Sequence, residues 1–250
     1  MNPTKRAAIT ILFSAIALRL FCAMPLAQAG DEAYSSKAQT QAKRAKADFE
    51  VDGDLTKGAW RHAKWTEFDH DPKGQRHYPE LLTRVAALWT DKHIYFAFSG
   101  HFEHLNVYQG EDPAKERWEL WNRDVVEVFA NPQPERVTHY YEFEVAPNNQ
   151  WIDLEIEKKN QPFNEAGWNS GFSHASRVDS QKHIWNVEMR IALDSMKAET
   201  PRAGSKWRVN FFRADGQGTD EHRKFLAWST IPTGNTFHVP ECFGALVFVD

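Results

Sequence analysis

The chain has 250 residues, 42% hydrophobic and 26% charged, with a formal net charge of −4; this composition can bury a core and excludes a disordered tail or a polytopic membrane protein. The mildly acidic balance argues against nucleic acid as a partner, since its binders need a concentrated basic face. Two Cys residues are too few for a disulfide framework or a four-cysteine zinc site.

Lys5 and Arg6 precede an apolar run from Ala7 to Leu18, and Ala27-Gln28-Ala29 follows. Basic start, apolar centre and small-x-small exit predict a secretory signal peptide over 1–29. Export to the periplasm or the medium is therefore expected. The apolar run is too short for a membrane anchor, so no membrane association is expected after cleavage. Cleavage would remove Lys5, Arg6 and Arg19 but no acid, leaving 27 basic against 34 acidic side chains. It would also leave Cys242 alone, expected to be buried and inert near the final strand.

Residues 30–47 are polar, with Tyr34 their one aromatic side chain. They read as a flexible leader, and the folded domain is expected over 48–250. From Phe49 onward the pattern is one of short β-type runs separated by turn chemistry. Arg84–Thr90 and His93–His101 are joined by Asp91-Lys92, a hairpin-length break. Asp124–Ala130 ends at Asn131-Pro132, and His139–Ala146 turns through Pro147-Asn148-Asn149 into Gln150–Glu157. In that last run Trp151, Asp153, Glu155 and Glu157 share one face against Ile152, Leu154 and Ile156. Further runs are Phe172–Val178, Ile184–Ile191, Trp207–Arg213, Lys224–Trp228 and Gly244–Val249. Leu193–Met196 carries the one helix signal, a short turn. The expected fold is all-β, an antiparallel β-sandwich with little helix, with a barrel as the topological alternative.

All ten Trp lie beyond the expected signal peptide. Trp89, Trp185 and Trp207 fall inside strand runs and are expected in the core. Trp118, Trp121 and Trp168 fall in loop-like polar stretches, where large rings have no obvious strand partner. Sugar rings offer flat apolar C–H faces and a rim of hydroxyls, which aromatic planes and polar side chains respectively match. Glu116–Asp124 (ERWELWNRD) supplies both kinds of group in one stretch, with Trp118 and Trp121 three residues apart.

Several motifs then occur in a recognisable order. Val51-Asp52-Gly53-Asp54 is followed by Trp60, then Val85–Trp89 with His93–Phe98, then Trp121–Phe129 (WNRDVVEVF). Trp185–Ile191, Gly204–Arg213, Ala227-Trp228-Ser229 and Phe237–Gly244 (FHVPECFG) complete the series. Together they resemble the family 9 carbohydrate-binding modules and their stand-alone relatives, which are DOMON-like β-sandwiches of jelly-roll or immunoglobulin-like layout. The resemblance implies two aromatics gripping a terminal sugar ring, Trp121 and Phe237, with Glu127 bonding hydroxyls and Asp124 matched as well. Phe237 stands where reducing-end binders carry Trp. Glu144 stands where they carry an assisting Arg, and Phe212 is near the place of a family Gln. Trp118, Asn122 and Arg123 would rim the site, with His238 and Arg213 as replacement donors.

Other constellations point less far. Glu142 and Glu144 are two apart on one strand face, and read as solvent-facing acids. With Glu127 they could offer the paired carboxylates of a glycoside hydrolase. His101 and His104 do not place both rings well for a metal. Asp52-Gly53-Asp54 and Asp215-Gly216 are turn sequences first. No cofactor is expected, with calcium ligation by such acids the one exception the family resemblance allows. No P-loop, Gly-x-Ser-x-Gly or dinucleotide motif occurs. The expected function is a non-catalytic, exported carbohydrate-binding protein whose partners are poly- or oligosaccharides and, by association, glycoside hydrolases. The alternatives are a glycoside hydrolase or a DOMON-like haem-binding electron carrier, which would need an axial ligand from Met189 or Met196.

Overall fold

Alternation of apolar and polar residues carries directly into strands here. The computed structural model describes residues 36–110, 112–159, 164–165, 167–233 and 236–250; the expected signal peptide over 1–29 lies outside them. In chain order the strands are β1 Gln39–Arg44, β2 Thr66–Phe68, β3 Thr83–Trp89, β4 His93–His101, β5 Val125–Asn131, β6 His139–Val145 and β7 Trp151–Glu157. There follow β8 Asn164–Glu165, β9 Ser173–Asp179, β10 Ile184–Ala192, β11 Lys206–Asp215, β12 Lys224–Ala227 and β13 Gly244–Val249. Each run read as a strand is one. The helical elements among the described residues are short 3-10 turns, including Asp194–Met196. None of them is long and apolar enough to cross a membrane.

The strands share one hydrogen-bonded path, β8-β7-β6-β5-β11-β13-β1-β3-β4-β10-β9, with β12 on β11 and β2 on β3. The path bends so that its two wings face each other. Phe211 of β11 meets Phe96 and Phe98 of β4 edge to face, with ring centroids 5.9 and 6.0 Å apart. Val126, Val128 and Phe143 from one wing pack with Val85, Val187 and Met189 from the other. Trp89, Trp185 and Trp207 lie in this core as expected. The result is a β-sandwich with no disulfide among the described residues. Cys242 is free and buried in the turn before β13.

The leader reading needs correction at Gln39–Arg44. This segment is β1, and it runs parallel to both β13 and β3 in an otherwise antiparallel sheet. Its buried side chains are only Thr40 and Ala42, so nothing apolar and bulky marks it as a strand. Small inward residues suffice because Thr40 and Ala42 sit beside Leu246 and Phe248 of β13, which supply the apolar bulk. In filling that gap, β1 also covers two sheet edges that would otherwise stay unpaired.

The close approach at this seam constrains Gly244. A Cβ there would lie 2.5 Å from Trp228 Cζ3 and 2.7 Å from the Ala38 carbonyl oxygen. Trp228 is largely buried and the Ala38 carbonyl already accepts from Ala245 N at 2.9 Å, so a shift of either disturbs existing contacts. Gly244→Ala is expected to destabilise the fold at the upper end of the ~1–3 kcal/mol typical of overpacking. Urea unfolding checks this, and a midpoint equal to wild type would refute it.

Each wing also has an outer face. On the β3–β4–β10 wing, Ala86, Leu88, Tyr95 and Ala97 are covered by the segment around Phe49, Val51 and Trp60. The Asp52-Gly53 turn and Trp60 both converge on Glu188 of β10, whose carboxylate accepts from the Asp52 and Gly53 backbone N–H groups at 2.8 and 2.7 Å. The same carboxylate accepts from Trp60 Nε1 at 2.7 Å and from Lys57 Nζ at 2.7 Å. The opening motif is thus a clamp on a buried acid. Asp52 itself pairs with Lys57 at 2.8 Å, which holds its carboxyl down at about 2. The outer face of the opposite wing is where the candidate site lies.

Candidate functional site

The strand period of two sends alternate residues of β5, β6, β7, β11 and β12 to the outer face. Val125, Phe129, Tyr140, Leu154, Phe212 and Ala214 make an apolar bed there. Glu127, Glu142 and Glu144 share the same face, and a cleft of about 630 Å³ opens above them. In register, Glu127 of β5 is the direct partner of Glu144 on β6 and of Phe212 on β11.

One wall is the 3-10 turn Leu120–Asn122, which brings Trp121 and Asn122 to the cleft. Glu119 enters the turn in the left-handed region at φ 62°, and Leu120 is buried as its anchor. Arg223, just before β12, clamps the turn from below. Its guanidinium donates to the backbone oxygens of Trp121 and Arg123 and lies 4.8 Å from the Phe225 ring centre. Asp124 is wholly buried and accepts from Asn106 N at 2.7 Å and Gly216 N at 2.6 Å. Burial, with Asp215 nearby, pushes its carboxyl up to about 6. Its role is to tie loops together beneath the wall.

The facing wall is Thr236, Phe237 and His238. Phe237 stacks on Phe212 with centroids 4.1 Å apart and planes 9° from parallel, and Phe225 meets it edge-on at 5.8 Å. His238 shares a hydrogen bond with the Tyr140 hydroxyl at 2.8 Å through Nδ1. Burial holds its imidazole below the ordinary value.

Of the residues the sequence pointed to, Trp121, Asn122, Glu127, Phe237 and His238 meet in this cleft. Trp118 does not line it. It is 43% exposed and touches Trp121 edge to face at 5.1 Å. Arg123 turns away, donating to the Asn122 carbonyl at 2.9 Å and lying over Tyr108 at 4.5 Å. Trp168 packs on Tyr141 and Phe143 against the sandwich core. Arg213 points to the interior, where Nη1 donates to the Leu81 and His101 carbonyls at 3.2 and 2.6 Å and Nη2 meets Asp215 at 2.8 Å. It cannot act as a donor in the cleft.

Glu142 and Glu144 are not solvent-facing acids, being 3% and 0% exposed. The two walls rise over β6, which has strands on both sides, so polar side chains on its outer face are enclosed. Burial comes first in pushing the Glu127 and Glu144 carboxyls well above their ordinary values, and repulsion among the three acids adds to it. Residues missed from sequence are Arg223 and Phe225, while Glu142 and Glu144 group with Glu127 there but read as solvent-facing. The alternation Tyr140, Glu142, Glu144 was the available signal for the acid pair. Nothing local marks Arg223.

A second acid pair lies on the opposite face of β7. Ser170 donates through both its backbone N–H and its hydroxyl to the buried Asp153, and Asn169 donates to Glu116 at 3.0 Å. Burial, then the hydrogen bond and charge of Asp153, raise Glu116 from 4.5 to about 7. The folded state thus holds a proton that the unfolded chain releases earlier. Its contribution to stability is complete below about 4.5 and is lost as pH rises through about 7. Melting curves should therefore show Glu116→Gln gaining on wild type across that window. A difference that stays constant with pH would overturn this.

Comparison with known proteins agrees with the fold. Residues 51–250 match the family described as carbohydrate family 9 binding domain-like. A protein of Arthroderma benhamiae named "Extracellular protein" is 27% identical over 194 residues, spanning 73% of this chain and 84% of the relative. A solved structure from Bacteroides uniformis ATCC 8492 superposes with a TM-score of 0.67 at 14% identity, covering 84% of this chain and 98% of its own. A carbohydrate-binding module family 9 from Caldicellulosiruptor kristjanssonii, solved with cellotriose, superposes with a TM-score of 0.62 at 17% identity, covering 85% and 94% respectively. With a family match that runs through nearly all of the described sandwich, this chain belongs to the carbohydrate family 9 binding domain-like proteins.

Proposed function

We propose that this protein is an exported, non-catalytic carbohydrate-binding protein that takes oligosaccharides into the cleft between Trp121 and Phe237. The observation that carries the reading is the cleft itself, with aromatic side chains on two walls and carboxylates on the floor. Aromatic planes suit the apolar faces of a sugar ring, and the acids accept from its hydroxyls. The family 9 module solved with cellotriose supports the ligand class. The 1–29 pattern and the relative named "Extracellular protein" support export, and the proposed role is in polysaccharide breakdown or uptake, alongside glycoside hydrolases.

A hydrolase reading fits less well. Glycosidases place two carboxyl groups on either side of the scissile bond, whereas Glu127, Glu142 and Glu144 stand side by side on neighbouring strands of one floor. A haem reading fits less well still, because Met189 and Met196 are both buried in the sandwich core. Calorimetric titration of oligosaccharides against wild type and Trp121→Ala tests the proposal. Absence of binding across a glycan array would refute it.

A further inference from the structure

The floor of the cleft holds an unbalanced set of charges. One carboxylate oxygen from each of Glu127, Glu142 and Glu144 lies within 4.8 Å of the other two. Among the described residues no donor hydrogen-bonds either oxygen of the wholly buried Glu144, Oε1 of Glu127 or Oε2 of Glu142. Unpaired buried acceptors of this kind are costly. Arg223 makes no hydrogen bond to them, because its guanidinium bonds go to the Trp121 and Arg123 carbonyls and to Asp220. The nearest His238 nitrogen stands 3.9 Å from Glu142, beyond a hydrogen bond.

Hard divalent cations such as calcium take oxygen ligands at about 2.3–2.6 Å, so two oxygens on one ion are separated by at most about twice that. Three oxygens within 4.8 Å fall inside that limit. One dication would offset two of the three carboxylate charges, with the Arg223 guanidinium, itself paired to Asp220, lining the same cleft. We infer that Glu127, Glu142 and Glu144 together bind one hard divalent cation, of the calcium class, at the floor of the cleft. Its remaining coordination positions face the space between Trp121 and Phe237. A sugar entering there would present hydroxyl oxygens to the ion, so that this last step, and only this step, rests on the carbohydrate reading.

The test uses the full chain stripped with EDTA and titrated calorimetrically with CaCl₂, MgCl₂ and MnCl₂ without sugar. One cation per chain is expected, with binding weakened at least ~10–100-fold in Glu144→Gln. Because that substitution removes a repelling buried charge, the metal-free variant is expected to melt no lower than metal-free wild type. Loss of cation binding together with an intact or raised melting temperature therefore supports the site. No uptake of any of the three cations at millimolar concentration overturns it, as does uptake that Glu144→Gln leaves unchanged. Capture of glucosamine oligomers by metal-free protein, undiminished by CaCl₂, would assign the acids to an ammonium group and also overturn it. Trp121→Ala separates the two readings, since it should weaken sugar binding about thirtyfold and leave cation uptake in place.

Discussion

Trp121→Ala is expected to weaken oligosaccharide binding by roughly 2 kcal/mol, about thirtyfold in Kd, which is the scale of a buried Trp anchor. The ring offers the largest apolar plane in the cleft, and a methyl group in its place leaves a bound sugar face open to water. The loss should not come from misfolding. Arg223 holds the turn by its backbone carbonyls, which Ala retains, and Leu120 keeps its buried anchor. Trp118→Ala serves as the internal comparison, because Trp118 is exposed and touches Trp121 only at its edge. A few-fold effect is expected there. Calorimetry with matched circular dichroism decides the matter, and equal affinities for wild type and Trp121→Ala would sink the proposed stacking role.

The second large effect concerns stability. Glu188→Ala is expected to cost about 3–5 kcal/mol, the range for removing one partner of a buried charge pair. The carboxylate is fully buried and receives two backbone N–H groups, the Trp60 indole and the Lys57 ammonium. Without it the Asp52 and Gly53 N–H groups and the Trp60 indole lose their acceptor, Lys57 is left with Asp52 and the Glu50 carbonyl, and the segment covering Ala86, Leu88 and Tyr95 loses its anchor. Gly53 adds to the constraint. Its φ of +76° and a Cβ position only 2.9 Å from Arg177 Cβ require glycine, so the turn cannot rearrange cheaply. Chemical denaturation measures the cost, and a change below ~1 kcal/mol would be incompatible with the clamp. The clamp lies on the wing opposite the cleft, so sugar affinity of the folded fraction should be unchanged.

These two residues differ in how they could be found. Trp121 sits in WNRDVVEVF, where resemblance and chemistry agree, and the structure brings it to the cleft with Glu127 and Phe237. Glu188 lies in a strand run read for its apolar residues, and only its convergence with Asp52, Gly53, Lys57 and Trp60 reveals its task. The opening motif was visible, but its partner was more than a hundred residues away. Trp168 shows the opposite error, a ring in a polar stretch that packs on the core through Tyr141 and Phe143.

The strands from β3 onward, apart from the two-residue β8, were legible in the amino-acid order, because a period of two and turn residues are local properties. So were the core tryptophans, the free buried Cys242 and most of the cleft walls. Tertiary structure decided which faces are covered. Alternation divides a strand into two faces without saying which one meets water, and this depends on segments that fold over it from elsewhere. Glu142 and Glu144 became a buried floor because the turns carrying Trp121 and Phe237 rise above β6. Arg213 became an interior residue, and Arg223 became the clamp beneath Trp121 from 102 positions along the chain. Gln39–Arg44 became a strand because it pairs with both β13 and β3, with small Thr40 and Ala42 turned inward beside Leu246 and Phe248.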